Sequence, residues 1–358
     1  MSGRTNPYFW LLIVVVGVCL LLVLAGVLYT PVQAWDEARR GVNALLMVQQ
    51  DDYLNYYYLD GYDTFNTKPP LYLWLVVGMV KAFDFSLFVL RSVSLLSFAL
   101  LVICLAYWFN RHYGSRMATF VVLFTFLGRG LAGEHVGFTG DTDMLFVLFT
   151  VLAIGSVYDY FYHGKRLTTL LASVTFFGAA FLTKGVALLL VVPGLWVFVY
   201  REKRFPRLSR KQWVVLLLYT LLLLGITTAI LLTFRSGAEY PDGYASLLEA
   251  MLLNDGVGRA TDAAFETGYQ IDFVPVALDL RFGPFVYVLY AYLLYAPYRR
   301  LGGGKWPEGV FKVRAIVDLH RDFGAFPALL QRQQTPVVRS ARRSVSGGGY
   351  RRDHRSYG

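Results

Sequence analysis

The amino-acid sequence predicts an all-α membrane protein, a polytopic helical bundle of about eight spans with interfacial helices in a large first outer loop. Composition is the first observation behind this prediction. Of the 358 residues, 56% are hydrophobic and 16% are charged, whereas soluble domains are about 45–50% apolar. The second observation is that the apolar residues fall in long runs, because a helix needs about 20 such residues to cross a bilayer core about 30 Å thick.

Eight segments have the length and apolar character of spanning helices. The first apolar run, Tyr8 to Thr30, is longer than the core of a secretory signal, which has about 7–15 residues. The run from Leu167 to Tyr200 is too long for one span, since it would extend roughly 51 Å as a helix, and we divide it at Lys184-Gly185. The predicted spans are 8–30, 87–109, 118–134, 140–161, 167–182, 185–200, 213–234 and 284–298.

The charges in the connections predict the orientation of the bundle. Connections 110–117, 163–166 and 201–211 are basic, and the positive-inside rule assigns such loops to the cytoplasm. The two long alternate connections are acidic, with six acidic against three basic residues in 31–70 and eight against three in 235–283. Both termini are therefore predicted to be cytoplasmic, in a multi-pass cell inner membrane protein whose acidic loops face outward.

The segment 69–83 is the exception among the apolar runs. It begins with two prolines and is short for a span, which is typical of an interfacial or re-entrant helix. The alternation of basic and acidic connections holds only if this segment does not cross the membrane.

Composition divides the chain into a membrane domain, 1–298, and a basic tail, 299–358. The tail carries 13 Lys and Arg residues against four acidic ones, and its Gly, Ser and Arg content predicts a disordered cytoplasmic segment. A shifted reading frame or a truncated gene would produce the same abrupt change. A basic tail of this kind is expected to bind anionic lipid headgroups. No nucleic-acid partner is expected, because the sequence contains no motif of a folded nucleic-acid-binding domain.

Ionisable residues collect on the predicted outer face. Charged groups at the edge of the hydrocarbon region are costly and usually mark a site. Acids and bases that converge on one face therefore indicate chemistry at the membrane–water boundary. The candidates are Asp36, Glu37, Lys68, Asp141, Asp143, Lys184 and Arg259.

Each candidate also has a structural interpretation. Asp36 suits the first turn of a helix, and Asp141 and Asp143 could be first-turn acids of a span capped by Thr139. In a helical turn, residues two apart point about 200° away from each other, so at most one of these acids would face a site unless the segment is a metal-binding loop. Lysines at a boundary can simply extend towards water.

Four motifs in order carry a resemblance to a known family. WDEARR, KPPLYLWL, TGDTDMLFVLFT and FLTKGVALLLVVPGL resemble the polytopic GT-C glycosyltransferases, in the group of the lipid A aminoarabinose transferases and the protein O-mannosyltransferases. The stretch Asn254–Gly268 resembles the second large outer loop of that group, and the likeness runs over residues 8–298. It implies transfer of a sugar from a polyprenyl-phosphate carrier to a lipid, glycan or protein acceptor at the outer, periplasmic face.

The resemblance implies roles for the candidates. An acceptor hydroxyl needs a carboxylate base, for which Asp36 is the first candidate and Asp143 or Asp141 the second. Cations would stabilise the departing lipid phosphate, a role for Lys68, Arg259 and more weakly Lys184. Glu37 is assigned to substrate binding or to holding the loop, and helix 69–83 would align the prenyl chain.

Two departures from the aminoarabinose branch argue against a metal. Thr67 stands where that branch usually has glutamate, and 266–269 lacks its usual histidine. Because both residues accompany a metal there, no metal or other cofactor is predicted and aminoarabinose is disfavoured as the donor. The chain is also shorter than the family's members, so an inactive truncated member is one alternative. A transporter or lipid flippase is another, but it would need charges near the bilayer midplane.

Overall fold

The computed structural model of the chain describes eight stretches, 6–33, 35–59, 61–63, 66–127, 137–163, 166–196, 208–234 and 246–253. They all belong to the first of two compact units, Met1–Gly283, and the second unit is Pro284–Gly358. The predicted span 284–298, the domain boundary at 298 and the candidate Arg259 lie outside the described residues.

The described residues are almost entirely helical, with one small antiparallel hairpin in which Tyr57 pairs with Tyr62. The helix Leu167–Lys184 continues into a 3-10 turn, Gly185–Leu190, and residues 192–196 are again helical. The elements are α1 Pro7–Tyr29, α2 Asp36–Gln49, β1 Tyr57–Tyr58, β2 Gly61–Tyr62, α3 Leu71–Phe83, α4 Leu87–Tyr113, α5 Ser115–Leu127, α6 Thr142–Tyr162, α7 Leu167–Lys184, α8 Arg210–Thr233 and α9 Leu247–Ala250.

Five helical segments among the described residues are long and apolar enough to cross a membrane. They are Pro7–Tyr29, Leu87–Tyr113, Thr142–Tyr162, Leu167–Leu190 and Arg210–Thr233. The predicted polytopic α-helical membrane protein is thereby confirmed. The predicted span 185–200 begins instead as the 3-10 continuation of α7, and of the predicted span 118–134 only the part in α5 is described.

Side-chain caps explain where several helices begin. Asn6 accepts a hydrogen bond from the backbone N–H of Tyr8, 3.1 Å away, with Pro7 at the first helical position. Ser86 accepts from Val89 N–H at 3.2 Å and starts α4. Ser209 starts α8 with a reciprocal pair of bonds to Gln212. Polar side chains thus satisfy backbone donors that a helix start leaves without partners.

The bundle has two ends, which we name by a residue at each. At the Asp141 end, Arg91 near the start of α4 donates to the carbonyl oxygens of Val27 and Thr30 at the end of α1, each 2.7 Å away. At the same end, Lys184 closes α7 and pairs with Asp143 in the first turn of α6. Helices α4 and α6 therefore both run away from the Asp141 end, while α1 and α7 run towards it.

The opposite end is named for Asp159. Its carboxylate accepts a hydrogen bond of 2.9 Å from the indole N–H of Trp108 near the end of α4. The first residues of α1 are also at this end, because the Asn6 amide lies 3.5 Å from the Ser115 hydroxyl at the start of α5. Helices α1, α4 and α6 therefore each extend between the two ends, and α5 starts at the Asp159 end, where α4 finishes.

Helix α3 begins and ends at the Asp141 end. Its preceding residue Pro69 lies beside Gly185, so that a Cβ on Gly185 would stand 3.5 Å from the Pro69 ring. Ser86, three residues after the end of α3, already caps α4. Because both neighbours belong to the same end of the bundle, α3 does not cross, which agrees with its prediction as an interfacial helix.

The buried core lies between α1 to α6, where small and aliphatic side chains of α1, α3, α4 and α6 meet. Helix α8 contributes little to this core, because most of its leucines are exposed on the surface of the bundle. Leu218, for example, is 60% exposed. An apolar outer surface of this kind is what a bilayer requires of a spanning helix.

Candidate active site

The first turn of α2 separates the two acids of the WDEARR motif. Trp35, which precedes the helix, has a φ of 87° and a ψ of −90°, a conformation that costs free energy in a residue with a bulky side chain. Successive residues of a helix are turned about 100° from each other. Glu37 consequently points inward and is 1% exposed, whereas Asp36 remains half-buried at the surface.

Glu37 forms a buried bidentate ion pair with Arg91, a residue within the apolar run of α4. The Arg91 Nε–Glu37 Oε1 distance is 2.6 Å and the Nη2–Oε2 distance is 2.8 Å, and Arg91 has no exposed surface. Two parallel bonds between a guanidinium and a carboxylate give strong, directional pairing. The pair thus fixes α2 against α4.

Glu37 also binds the backbone of two further segments, the end of the loop before α2 and the turn before α6. Glu37 also accepts hydrogen bonds from the N–H groups of Gln33, at 2.9 Å, and Gly140, at 2.7 Å. Burial opposes ionisation of Glu37, but the Arg91 guanidinium and these two N–H groups together hold its pKa below the usual value. Both carboxylate oxygens of Glu37 are therefore occupied by N–H donors of the protein.

Asp141 caps α6 and pairs with Arg40 of α2. Its Oδ1 accepts from the Thr142 N–H at 2.6 Å and lies 3.1 Å from Arg40 Nη1, with both side chains less than a tenth exposed. The Ser94 hydroxyl of α4 donates to the Asp141 carbonyl oxygen at 2.9 Å. Burial is the main reason why the pKa of Asp141 is raised above the ordinary value, which strengthens this carboxylate as a base.

Asp143 pairs with Lys184 at the surface of the same end. The Lys184 Nζ–Asp143 Oδ1 distance is 2.5 Å, and the two side chains are 28% and 30% exposed. Gly185, with a φ of 62°, ends α7 directly after the lysine, and glycine adopts this left-handed conformation without strain.

The structure corrects the expectation that Asp141 and Asp143 diverge. Asp141 is the cap, with an extended backbone at φ −119°, and Thr139 is not. The angular argument applies only to residues inside a helix, so both acids can lie in one group. Each acid stands beside a cation at this end of the bundle, and the charges of Asp143, Asp36, Arg40 and Lys184 act on the pKa of Asp141.

These five residues form what we call the charged cluster: Asp36, Arg40, Asp141, Asp143 and Lys184. Within the part of the chain that the structure describes, Asp36 is the member without a hydrogen bond or ion pair. The other two carboxylates each stand beside a cation. The cations of such a cluster can bind an anionic group, and its half-exposed carboxylate can accept a proton from a neighbouring hydroxyl.

Lys68 lies at the end of the loop between α2 and α3. Its N–H donates to Asn66 Oδ1 at 3.2 Å, and its carbonyl oxygen accepts from the Tyr56 hydroxyl at 3.2 Å. The next residue, Pro69, is the neighbour of Gly185 at the end of α7. The structure therefore brings the backbone at Lys68 to the same end as Lys184.

A buried polar network fixes the loop between α2 and α3 to α2. Asn43, which has no exposed surface, donates to Tyr57 O at 2.8 Å and to Asp63 Oδ2 at 2.9 Å. Arg39 also pairs with Asp63 Oδ2 at 2.9 Å, and its guanidinium stacks over the Tyr58 ring at 4.6 Å. The loop that carries Lys68 is thus held by α2, the helix that carries Asp36.

Two arginines at this end, Arg40 and Arg91, are not among the site residues predicted from the sequence. Arg91 could have been found, because an arginine inside an apolar run of α4 is itself a signal of function or of a buried partner. Arg40 stands four residues after Asp36, on the same face of α2. The motif thus presents an acid and a cation side by side on one face, with Glu37 on another.

Comparisons with known proteins agree with this architecture. Residues 67–231 match the family model described as dolichyl-phosphate-mannose-protein mannosyltransferase. The chain is similar to the crystal structure of ArnT from Cupriavidus metallidurans in the apo state, with a TM-score of 0.51 and 18% identity over 63% of this chain and 43% of that chain. The crystal structure of ArnT from the same organism bound to undecaprenyl phosphate gives a TM-score of 0.50 and 20% identity, again over 63% of this chain and 43% of that chain.

A third solved structure is more distant. The S. cerevisiae protein O-mannosyltransferase Pmt1-Pmt2 complex bound to the sugar donor gives a TM-score of 0.48 and 18% identity, over 68% of this chain and 36% of that chain. None of the curated proteins matches the sequence. The chain spans less than half the length of the ArnT structures that it matches.

The class of protein follows from the fold and these matches. The chain is a multi-pass membrane protein with the GT-C fold, as the order of its motifs indicated. Its segment 67–231 is similar in sequence to the mannosyltransferase family, and that segment contains Lys68, Arg91, Asp141, Asp143 and Lys184 of the site.

Proposed function

We propose that this protein is a glycosyltransferase that moves a sugar from a polyprenyl-phosphate carrier to a lipid, glycan or protein acceptor. The observation that carries the proposal is the charged cluster, in which the half-exposed Asp36 and the ion pairs Arg40–Asp141 and Lys184–Asp143 lie around Asp141 at one end of a GT-C bundle. Support for the donor comes from ArnT, which has the same fold and has been crystallised with undecaprenyl phosphate.

The proposed reaction is a displacement at the anomeric carbon of the sugar. An acceptor hydroxyl oxygen forms the new bond to that carbon while its proton passes to Asp36, the candidate base. The bond between the anomeric carbon and the phosphate oxygen breaks, and its electron pair leaves with the polyprenyl phosphate. An acceptor that is already an anion would attack without the proton transfer.

The cations have their role at the leaving group. Negative charge grows on the lipid phosphate as its bond to the sugar breaks, so fixed positive groups stabilise the transition state more than the bound donor. Lys184 is the surface cation of the cluster, and we assign Lys68 and Arg259 to the same task. Asp143 and Asp141 hold Lys184 and Arg40 in position, and either remains a second candidate for the base.

The proposed location of the reaction is the periplasmic face of a cell inner membrane. This placement rests on the basic connections assigned to the cytoplasm by the positive-inside rule. Helix α3, which starts beside the site and lies along the same end of the bundle, is in a position to align the prenyl chain of the donor with the bilayer surface.

The proposal is tested with Asp36→Asn in the full chain reconstituted in lipid nanodiscs. Transfer is measured from a panel of radiolabelled polyprenyl-phosphate sugars to extracted membrane lipids and proteins. We expect Asp36→Asn to lower the transfer rate by about 10²–10⁴-fold, the usual effect of removing a general base. Asp84→Asn is the matched control, because Asp84 is an exposed acid that follows α3, and it should retain the full rate.

Two results would count against the proposal. Equal transfer by Asp36→Asn and the wild type would exclude Asp36 as the base, and Asp143→Asn and Asp141→Asn would then be assayed in the same way. If the wild type transfers no sugar from any donor of the panel but moves the lipid carrier across a bilayer, the protein is a transporter.

A further inference from the structure

Three metal-ligating side chains meet at the Asp159 end, away from the charged cluster. His112 stands in the last turn of α4, Asp159 in the last turn of α6, and His163 directly after α6. Helix α6 has 21 residues, so this group lies about 30 Å from Asp141 along the helix axis. The reaction proposed above does not involve any of the three.

The distances between the three side chains suit one shared ion. His163 Nδ1 is 3.1 Å and His112 Nε2 is 3.8 Å from the same oxygen, Asp159 Oδ1. All three side chains offer ligand atoms within 4.8 Å of one another. Two ligand atoms of a tetrahedral zinc ion, each about 2.1 Å from the metal, are about 3.4 Å apart, so small side-chain rotations would complete the geometry.

The surroundings orient these side chains as a metal site requires. The Trp108 indole N–H donates to Asp159 Oδ1 at 2.9 Å, the kind of supporting bond that orients a ligating carboxylate. The rings of His112 and His163 are 3.6 Å apart between centroids, so each is held beside the other. The side chains of His112, Asp159 and His163 are 12%, 31% and 32% exposed, which leaves access for an ion from solvent.

We propose that His112, Asp159 and His163 bind a divalent transition-metal ion, with zinc as the best match. Two imidazole nitrogens and one carboxylate oxygen are a ligand set that zinc accepts, with water in the fourth position. An ordinary Asp–His contact one helical turn apart would account for Asp159 and His163. It gives no reason for His112, which comes from another helix and turns its Nε2 towards the same oxygen.

The consequence of such an ion would be structural. It would join the end of α4 to the end of α6, two helices that both run away from the charged cluster. Because the metal site is distant from the proposed site of sugar transfer, removing its ligands should lower the stability and the metal content of the protein without abolishing sugar transfer.

The test measures zinc bound by the full chain, purified through a tag without histidine and freed of metal by a chelator. Dialysis against Zn²⁺ followed by elemental analysis should give one ion per chain for the wild type. The double variant His112→Gln/His163→Gln should bind at least tenfold less. The matched control is His320→Gln/His354→Gln, which removes two histidines of the basic tail and should still bind one ion.

Cobalt serves as the spectroscopic probe of the same site. Co²⁺ added to the wild type should give the visible absorption bands of a four-coordinate ion, and Asp159→Asn should shift or weaken them while the helix content stays the same. If the double variant does not fold, His163→Gln alone is used, since His163 lies beyond the end of α6. The proposal is overturned if the wild type binds no zinc, or if the wild type and the folded variant bind it equally.

Discussion

At the scale of single residues, the buried pair of Glu37 and Arg91 shows how one interaction organises the site. Removing two charges from water is costly, and the cost is offset only when every donor and acceptor finds a partner. Here the carboxylate accepts from Arg91, Gln33 and Gly140, while the guanidinium also donates to carbonyl oxygens at the end of α1. The pair therefore joins three helices and one turn at a single point beside the charged cluster.

The first prediction concerns the removal of one partner. Arg91→Ala should lower the free energy of unfolding by about 3–5 kcal/mol, because an uncompensated charge remains in a buried position. The double variant Glu37→Gln/Arg91→Ala should lose less than the sum of the two single variants. Reversible unfolding in mixed detergent micelles measures all three. Strict additivity would show that the two side chains do not interact.

The second prediction is a pH dependence that follows from the lowered pKa of Glu37. A carboxyl group whose pKa is lower in the folded than in the unfolded chain stabilises the fold fully above its unfolded pKa, and the stabilisation disappears as the pH falls through the folded value. The destabilisation by Glu37→Gln should therefore be constant above the ordinary value of 4.5 and shrink below it. Unfolding measured from pH 7 to pH 3 tests this, and an effect that grows on acidification would contradict it.

At the scale of elements, the turn before α6 is built for close approach. A Cβ on Gly140 would stand 2.9 Å from Leu90 Cγ and 3.3 Å from the Leu90 carbonyl oxygen. The backbone N–H of the same glycine donates to Glu37. Any side chain here would push the turn away from α4 and lengthen that hydrogen bond, and the cap Asp141 would move with it.

The third prediction uses this turn. Gly140→Ala should destabilise the protein by about 1–3 kcal/mol through overpacking and should also lower the transfer rate, because Asp141 is the next residue. Gly155→Ala in α6 is the matched control, since nothing lies within 4 Å of its added Cβ. Alanine is the better helix former by about 1 kcal/mol, so the control should be neutral or slightly stabilising in thermal unfolding.

The same elements show which parts of the structure the sequence could predict. Helices α1 and α6 begin and end within two residues of their predicted bounds, because hydropathy is a local property of the chain. The role of Arg91 was not predictable in this way, because its partner Glu37 is 54 residues away. The cap of α6 was assigned to Thr139 because residue type alone does not distinguish it from Asp141, and only the backbone conformation does.

At the scale of the whole molecule, the two ends of the bundle are chemically different. The Asp141 end holds the charged cluster and the interfacial helix α3, while the Asp159 end holds the histidine pair. The charge of the connections predicts that these ends face opposite sides of the membrane.

The fourth prediction tests the orientation by cysteine labelling. In a background with Cys19 and Cys104 replaced by alanine, single cysteines are placed at the exposed positions Asp84 and Thr168. A membrane-impermeant maleimide should label Asp84→Cys on intact cells and Thr168→Cys only after permeabilisation. Labelling of both on intact cells would contradict a bundle with its two ends on opposite sides.

The contact between Glu37 and Gly140 also bears on how the protein is made. The two residues are 103 positions apart, and a chain emerges from the ribosome from its N-terminus onward. Glu37 can meet Arg91 once α4 is inserted, but it gains its last donor only when the turn before α6 arrives. The charged cluster is completed later still, when α7 delivers Lys184 to Asp143. Assembly of the site is therefore one of the last events in the insertion of this part of the chain, and a nascent chain that stops before α7 carries its acids without the lysine that balances them.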